Sequence, residues 1–198
     1  MGGRAQDEPQ LEQGPAPVIA VVGPSGVGKD SLIRALAAHD PGYRAVRRVI
    51  TRPGGAGEAH IPVSPAEFAR IAARGGFALH WRAHGLRYGI PGEVDALCLG
   101  CRGVLVNLSW QVLAEAQARF GDLVVLSLSA DPGILAARLA RRGRESGAER
   151  SVRLKRAGLV LPEGLRRVHR IDTVGTPQEV LRAALACLQP ESGSRLSR

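Results

Sequence analysis

Apolar and polar positions along the chain switch repeatedly between two periods. Val18 to Val22 is an unbroken apolar run that stops at Gly23, and the residues from Asp30 to His39 then repeat at helical spacing. The pattern predicts a strand, a glycine-rich turn and a helix. Asp40 to Gly57 is basic and punctuated by Gly and Pro, with one short β-type run from Arg47 to Thr51. Ser64-Pro65-Ala66-Glu67 sets a capping residue, a first-turn proline and a first-turn acid in order, which predicts a helix from Pro65 to about Arg74. Phe77 to Trp81 and Leu86 to Ile90 read as the arms of a hairpin turning at His84-Gly85, and Pro91 to Leu99 as a short helix closed by Gly100.

Farther on, the Val/Leu-rich runs Gly103 to Leu108 and Leu123 to Leu128 read as buried strands, with a helix near 110–119 between them. Asp131-Pro132 opens a helix carrying Arg138, Arg141 and Arg142. Gly143 to Gly147 break it, and helical spacing resumes from Arg150 to Gly158. A short strand, Arg170 to Val174, and a helix, Pro177 to Leu188, complete the pattern. Strands that alternate with helices predict an α/β fold: a parallel sheet flanked by helices on both faces. One domain is expected at 17–188, between polar, aperiodic tails at 1–16 and 189–198.

Composition narrows the class. No apolar run approaches the ~20 residues that span a bilayer, and Met1 to Pro17 lacks the apolar core of a signal peptide, so a cytoplasmic setting without a membrane partner is expected. Three cysteines are an odd number for a disulfide framework. Cys98 and Cys101 form a CxxC pair, but zinc would need two further ligands and no second pair exists, so they read as two small helix residues. The net charge of +9 invites a nucleic-acid reading. With only 4% aromatic residues there is little to stack on bases, so no nucleic-acid partner is expected. The charge suits an anionic, phosphorylated small molecule.

Chemistry enters at Gly23-Pro24-Ser25-Gly26-Val27-Gly28-Lys29, a G-x-x-x-x-G-K loop placed after a buried strand and before a helix. Its glycines let backbone N–H groups converge on phosphate oxygens without Cβ clashes, and the helix start adds partial positive charge. Lys29 would reach the β- and γ-phosphates of ATP. Strand, loop, lysine and helix in one register set this apart from a merely structural glycine turn. The Ser/Thr that usually follows the lysine and ligates Mg²⁺ is Asp30, with Ser31 next. A carboxylate is a competent hard ligand, so either residue is a candidate for the metal.

Two arginine-rich stretches complete the reading. Arg138, Arg141, Arg142, Arg144, Arg150 and Arg153 form a candidate lid, with Gly143 and Gly147 as joints. Arg47, Arg48 and Arg52 form a candidate dock for an acceptor phosphate. The planar guanidinium fork grips phosphoryl oxygens bidentately, although a solvated basic face would give the same composition.

With these residues in hand, 17–188 resembles the guanylate-kinase-like branch of the P-loop NTPases. Gly-Pro-Ser-Gly-x-Gly-Lys is that branch's loop. Thr51-Arg52-Pro53 followed by Gly57-Glu58 resembles its acceptor segment, and Phe77 to Gly89, with Trp81, His84-Gly85 and Tyr88-Gly89, resembles its aromatic stretch. Arg138, Arg142 and Arg153 fall at the spacing of its phosphate-embracing arginines. The chain departs where guanine would be read. His80 stands for an acid before Trp81, neutral Asn107-Leu108-Ser109 for the acid after the strand, and Gly55 for a second arginine. Without carboxylate acceptors a guanine site loses most of its discrimination.

Within that branch the details resemble the ribose 1,5-bisphosphate phosphokinase family of phosphonate catabolism. The matching stretches are Gly23 to Leu32 (Asp30 included), Ile50-Thr51-Arg52-Pro53, Trp81 to Pro91 and Arg142-Gly143-Arg144-Glu145. Trp110 and Thr173 depart, where Arg and Asn are expected. The resemblance implies a parallel sheet with an acceptor-binding insertion and an Arg-rich lid. It implies transfer of the γ-phosphoryl group of ATP, with Mg²⁺, to the 1-phosphate of ribose 1,5-bisphosphate. Lys29, Arg142 and Arg153 would be catalytic, and Gly23 to Ser31 with Arg138 would bind ATP. Arg52, Glu58, His60, His84, Tyr88 and Asn107 would bind the acceptor. The rivals are a guanylate kinase and a non-enzymatic interaction module, the latter opposed by the retained Lys29. Oligomeric state is left open.

Overall fold

The computed structural model describes residues 14–54, 59–141 and 161–189. In chain order the elements are β1 (Val18–Val22), α1 (Lys29–His39), β2 (Tyr43–Ala45), β3 (Arg48–Ile50), β4 (His60–Pro62) and α2 (Pro65–Ala73). There follow β5 (Phe77–Ala83), β6 (Leu86–Pro91), α3 (Val94–Leu97), β7 (Gly103–Asn107), a 3₁₀ turn (Trp110–Val112) and α4 (Leu113–Phe120). The last are β8 (Leu123–Ser129), α5 (Pro132–Arg141), β9 (Arg167–Asp172) and α6 (Pro177–Leu188).

All five residues of β1 are buried, as a strand covered on both faces requires. It is the middle of a five-stranded parallel sheet ordered β2-β7-β1-β8-β9, in which Val21 faces Asn107 and Val22 faces Ser127. Strand alternation divides the core. Ile19, Val21, Leu105, Val124 and Leu126 pack with Leu32, Ile33 and Leu36 of α1, Leu135 of α5 and Ala184 of α6. Val18, Ala20, Val22, Val104 and Val106 pack on the opposite face with Leu113 and Ala116 of α4 and with Leu79, Trp81 and Ile90. The expected parallel sheet with helices on both faces is observed.

The last three residues come from a second sheet, ordered β4-β3-β6-β5, in which only the β3–β4 pair is parallel. Its hairpin turns at His84 and Gly85, with φ of 52° and 71°, and Ala83 faces Leu86. Two positive φ values in a two-residue loop are what a type I′ turn needs, which favours Gly at the second position. A bulge between Phe77 and Leu79 changes the facing of the strand. Phe77 therefore shares a face with His80 and with Phe68 of α2, while Trp81 stacks on Tyr88 on the other, centroids 5.3 Å apart.

Helix starts follow the local chemistry. Ser64 caps α2 by accepting from the Glu67 N–H. Thr176 and Glu179 form a reciprocal capping box on α6, and the bonds from Thr176 hold the Glu179 carboxyl below its usual range. Several expectations shift. β2 and β4 are not expected from the sequence: Tyr43-Arg44-Ala45 and His60-Ile61-Pro62 hold at most one β-branched residue each, whereas β3 of the same length has Val49-Ile50. β9 runs from Arg167 to Asp172 rather than 170–174: it is an edge strand with one buried residue, Ile171, so it shows no clear alternation. The region near 110–119 is a 3₁₀ turn followed by α4. The helix expected from Arg150 to Gly158 and most of both expected tails lie outside the described residues. No helix among the described residues is long and apolar enough to cross a membrane.

The second sheet depends on one absent side chain. A Cβ at Gly89 would stand 2.5 Å from Cε1 of Phe77, whose ring fills that space. Gly89→Ala should therefore destabilise the protein by about 1–3 kcal/mol through overpacking. Urea unfolding would read this as a lower midpoint at constant slope; an unchanged midpoint would show that the Phe77 ring moves aside freely.

Candidate active site

The phosphate loop leaves the end of β1 through backbone conformations that only glycine accepts readily. Gly23, Gly26 and Gly28 have φ of 144°, 83° and 104°. At Gly23 a Cβ would also come within 2.5 Å of the Leu128 carbonyl oxygen, so β8 sets the floor of the loop. Val27 is buried beneath it and pins it down. Gly28 caps α1 in the left-handed conformation with no side-chain bond. The first-turn amides of a helix lack intrahelical partners, and here they front the loop as an anion site. Lys29 Nζ donates to the carbonyls of Gly23 at 2.8 Å and Pro24 at 2.9 Å, which lays its ammonium across the loop.

Asp30 is the second residue of α1, and its Oδ1 accepts from Nδ2 of Asn107 at 2.6 Å. Asn107 is there because β7 lies beside β1 in register, and the next residue, Leu108, donates its N–H to Val21 at 3.2 Å. Asn107 is only 4% exposed, and its Oδ1 has no hydrogen-bond partner among the described residues. Arg48 of β3 brings Nη2 to 4.0 Å from the same carboxylate oxygen, and its guanidinium lies 5.8 Å from the centroid of the Tyr88 ring. A continuous path thus runs from Asn107 through Asp30 and Arg48 to Tyr88 and Trp81, joining the phosphate loop to the second sheet.

Arg52 lines an open pocket of about 360 Å³ with Thr51, Pro53, Pro62, Val63, Ser64 and Pro65. Thr51 is held there by exchange with Arg87, whose N–H it accepts at 2.9 Å. The remaining sequence-derived residues scatter. His60 is buried in β4, with Arg47 donating to its carbonyl at 2.9 Å. His84 occupies the exposed hairpin tip. Ser31 is exposed beside Asp30, and Arg138 lies in α5. Glu58, Arg142 and Arg153 lie outside the described residues.

Arg48 was grouped with its neighbours by composition alone; no sequence signal tied it to Asp30. The unusual positions also find their settings. Asn107, expected at the acceptor, donates its amide to Asp30. His80 lies against Phe68 and Phe77, across the hairpin from Trp81 and Tyr88. Thr173 is buried and donates both its N–H, at 2.8 Å, and its hydroxyl, at 3.0 Å, to the Ser129 carbonyl, fastening the end of β9 to β8. Trp110 packs half-buried on the core face shared with α4. Burial pushes the Cys98 thiol up from its ordinary value. Among the described residues no group of three or more His, Cys, Asp or Glu is placed to hold a metal ion.

These features fit a nucleoside triphosphate and its metal ion. The loop offers converging amides and one ammonium for phosphates, and the exposed Asp30 carboxylate is a hard oxygen donor at the helix start. No protein-family model matches the chain. It is 57% identical over 176 residues to the ribose 1,5-bisphosphate phosphokinase PhnN of Ruegeria sp. (strain TM1040), covering 88% of this chain and 93% of that protein. The PhnN of Rhodopseudomonas palustris is 42% identical over 167 residues, covering 83% and 84%. Among solved structures, guanylate kinase from Anaplasma phagocytophilum superposes with a TM-score of 0.63 at 16% identity, covering 87% of this chain and 85% of that one, which speaks to the fold. The chain belongs to the ribose 1,5-bisphosphate phosphokinase family, built on a P-loop kinase fold.

Proposed function

We propose that this protein transfers the γ-phosphoryl group of ATP to the 1-phosphate of ribose 1,5-bisphosphate, giving 5-phosphoribosyl 1-diphosphate and ADP. The observation that carries the reading is the phosphate loop with Lys29 across it, linked through Asp30 and Arg48 to the second sheet. In this reading residues 17–188 are the catalytic domain, its setting is cytoplasmic and its partner is a small phosphorylated molecule.

The reaction asks little covalent chemistry of the protein. A 1-phosphate oxygen is already anionic, so it attacks the γ-phosphorus without a general base while the bond to the β-bridging oxygen breaks. The loop amides and Lys29 hold the phosphates in line and neutralise charge as it shifts to the leaving oxygen. Mg²⁺, when bound with ATP, supplies further neutralisation, and Asp30 with Ser31 beside it would hold it. Arg52 in its pocket and Tyr88 on the acceptor sheet serve the sugar bisphosphate. Arg138, Arg142 and Arg153 supply guanidinium groups to the phosphates, by their positions in the sequence. His60, His84 and Glu58 belong to the acceptor side on the same basis.

Lys29→Ala removes the charge aimed at the transferring group, so kcat should fall at least ~100-fold in a variant that still folds. Near-normal turnover by a folded variant would refute the kinase reading.

The acceptor is tested separately. By the family resemblance guanine would be read by acids just before Trp81 and within 107–109, and His80 and Asn107-Leu108-Ser109 carry no carboxylate. Each charge-assisted hydrogen bond forgone is worth about 1.5–3 kcal/mol. Together they lower the expected kcat/KM for GMP by ~10² to 10⁴ relative to a site with both acids, so ribose 1,5-bisphosphate should be phosphorylated efficiently and GMP little. Coupled ADP assays with each acceptor would read the ratio, and a preference for GMP would reassign the acceptor while leaving the kinase class standing.

A further inference from the structure

We propose that Asp30 and Asn107 are a transposed metal pair, in which the carboxylate has moved from the strand to the helix and Asn107 positions it. The inference rests on the kinase reading for its metal but not on the identity of the acceptor. P-loop NTPases commonly hold Mg²⁺ between the Ser/Thr after the loop lysine and an acid from a neighbouring strand. Here the position after Lys29 is the acid, Asp30, and the end of the neighbouring strand β7 is the amide, Asn107.

Each change alone would be a defect. An acid at both positions would set two carboxylates against each other beside the triphosphate. An amide on the strand with a hydroxyl on the helix would leave no carboxylate for the cation. Together they keep one acid and one neutral oxygen-bearing group, and the structure brings the two into contact. Asn107 Nδ2 donates to Asp30 Oδ1 at 2.6 Å, a bond that an acid at position 107 could not donate when ionised. Arg48 approaches the same oxygen at 4.0 Å. Amide and guanidinium thus both address Oδ1, and we assign Oδ2 to the metal. The Asp30 side chain is 53% exposed, open to a ligand. Asn107 is the reverse: buried, with its own Oδ1 unpartnered among the described residues. A residue present only to fill the core would avoid that desolvation cost.

The test uses the full chain and Mn²⁺ as the probe, its binding followed by electron paramagnetic resonance with a non-hydrolysable ATP analogue and no acceptor. Asp30→Ser should weaken Mn²⁺ binding at least about tenfold, and Asn107→Ala about tenfold by loosening the carboxylate. Adding Asn107→Asp to Asp30→Ser should return affinity to within about threefold of the parent, because the acid is restored on the strand. A double variant as weak as Asp30→Ser overturns the transposition. Should the double variant not fold, Asn107→Ala decides: unchanged Mn²⁺ affinity in a folded variant overturns the positioning role. No acceptor is present, so a wrong acceptor leaves these readings untouched, whereas a parent protein that fails to bind the ATP analogue refutes the kinase reading itself.

Discussion

Everything at the site depends on β1 being buried on both faces and paired on both edges. Its residues bond β7 on one side and β8 on the other, so the end of the strand has almost no freedom of direction. Three parallel strands therefore finish side by side, and the loops that follow them emerge at one edge. Crevices beyond the carboxyl ends of parallel strands are where α/β sheets bind ligands, and the phosphate loop occupies that place. The Leu128 carbonyl against Gly23 and the burial of Val27 show the sheet shaping the loop directly. A cradle of amides has to keep its shape before the anion arrives, and a rigid core is what supplies that.

The second constraint is electrostatic. Asp30 puts a negative charge at a helix start, where it is favourable, and also beside the glycine-rich loop, where alone it would repel an anion. Asn107 offsets this by donating to one of its oxygens, and the Arg48 guanidinium stands 4.0 Å from the same oxygen. Arg48 is largely covered and lies against Tyr88, so the charge balance at the phosphate loop is tied to the packing of the second sheet. Stacking of Tyr88 on Trp81 extends that tie into the core shared with α4. The two sheets are coupled by side chains as well as by chain connectivity.

The arginine-rich composition also takes on a more specific meaning. Arg102 pairs with Asp40, Arg119 with Asp95 and Arg167 with Asp122, all exposed pairs whose contribution to stability is small. Arg47 and Arg48 instead meet a buried strand carbonyl and a site carboxylate. Net charge did not distinguish these two groups; location did.

What the sequence determined by itself was whatever depends on near neighbours in the chain. The uninterrupted run Val18–Val22, the glycines and lysine after it, the caps at Ser64 and Thr176 and the His84-Gly85 turn each act over a few residues. Central sheet, phosphate loop, hairpin and most helices were legible for that reason. The three-residue strands β2 and β4 were not, because each is held by its partner strand rather than by its own pattern. The site divides in the same way. Lys29 is legible from its loop, but Asp30 and Asn107 read as two unrelated departures, 77 positions apart. Only the parallel register of β1 and β7 turns them into one hydrogen-bonded pair, since a contact between distant positions is decided by how strands align and leaves no local period in the chain.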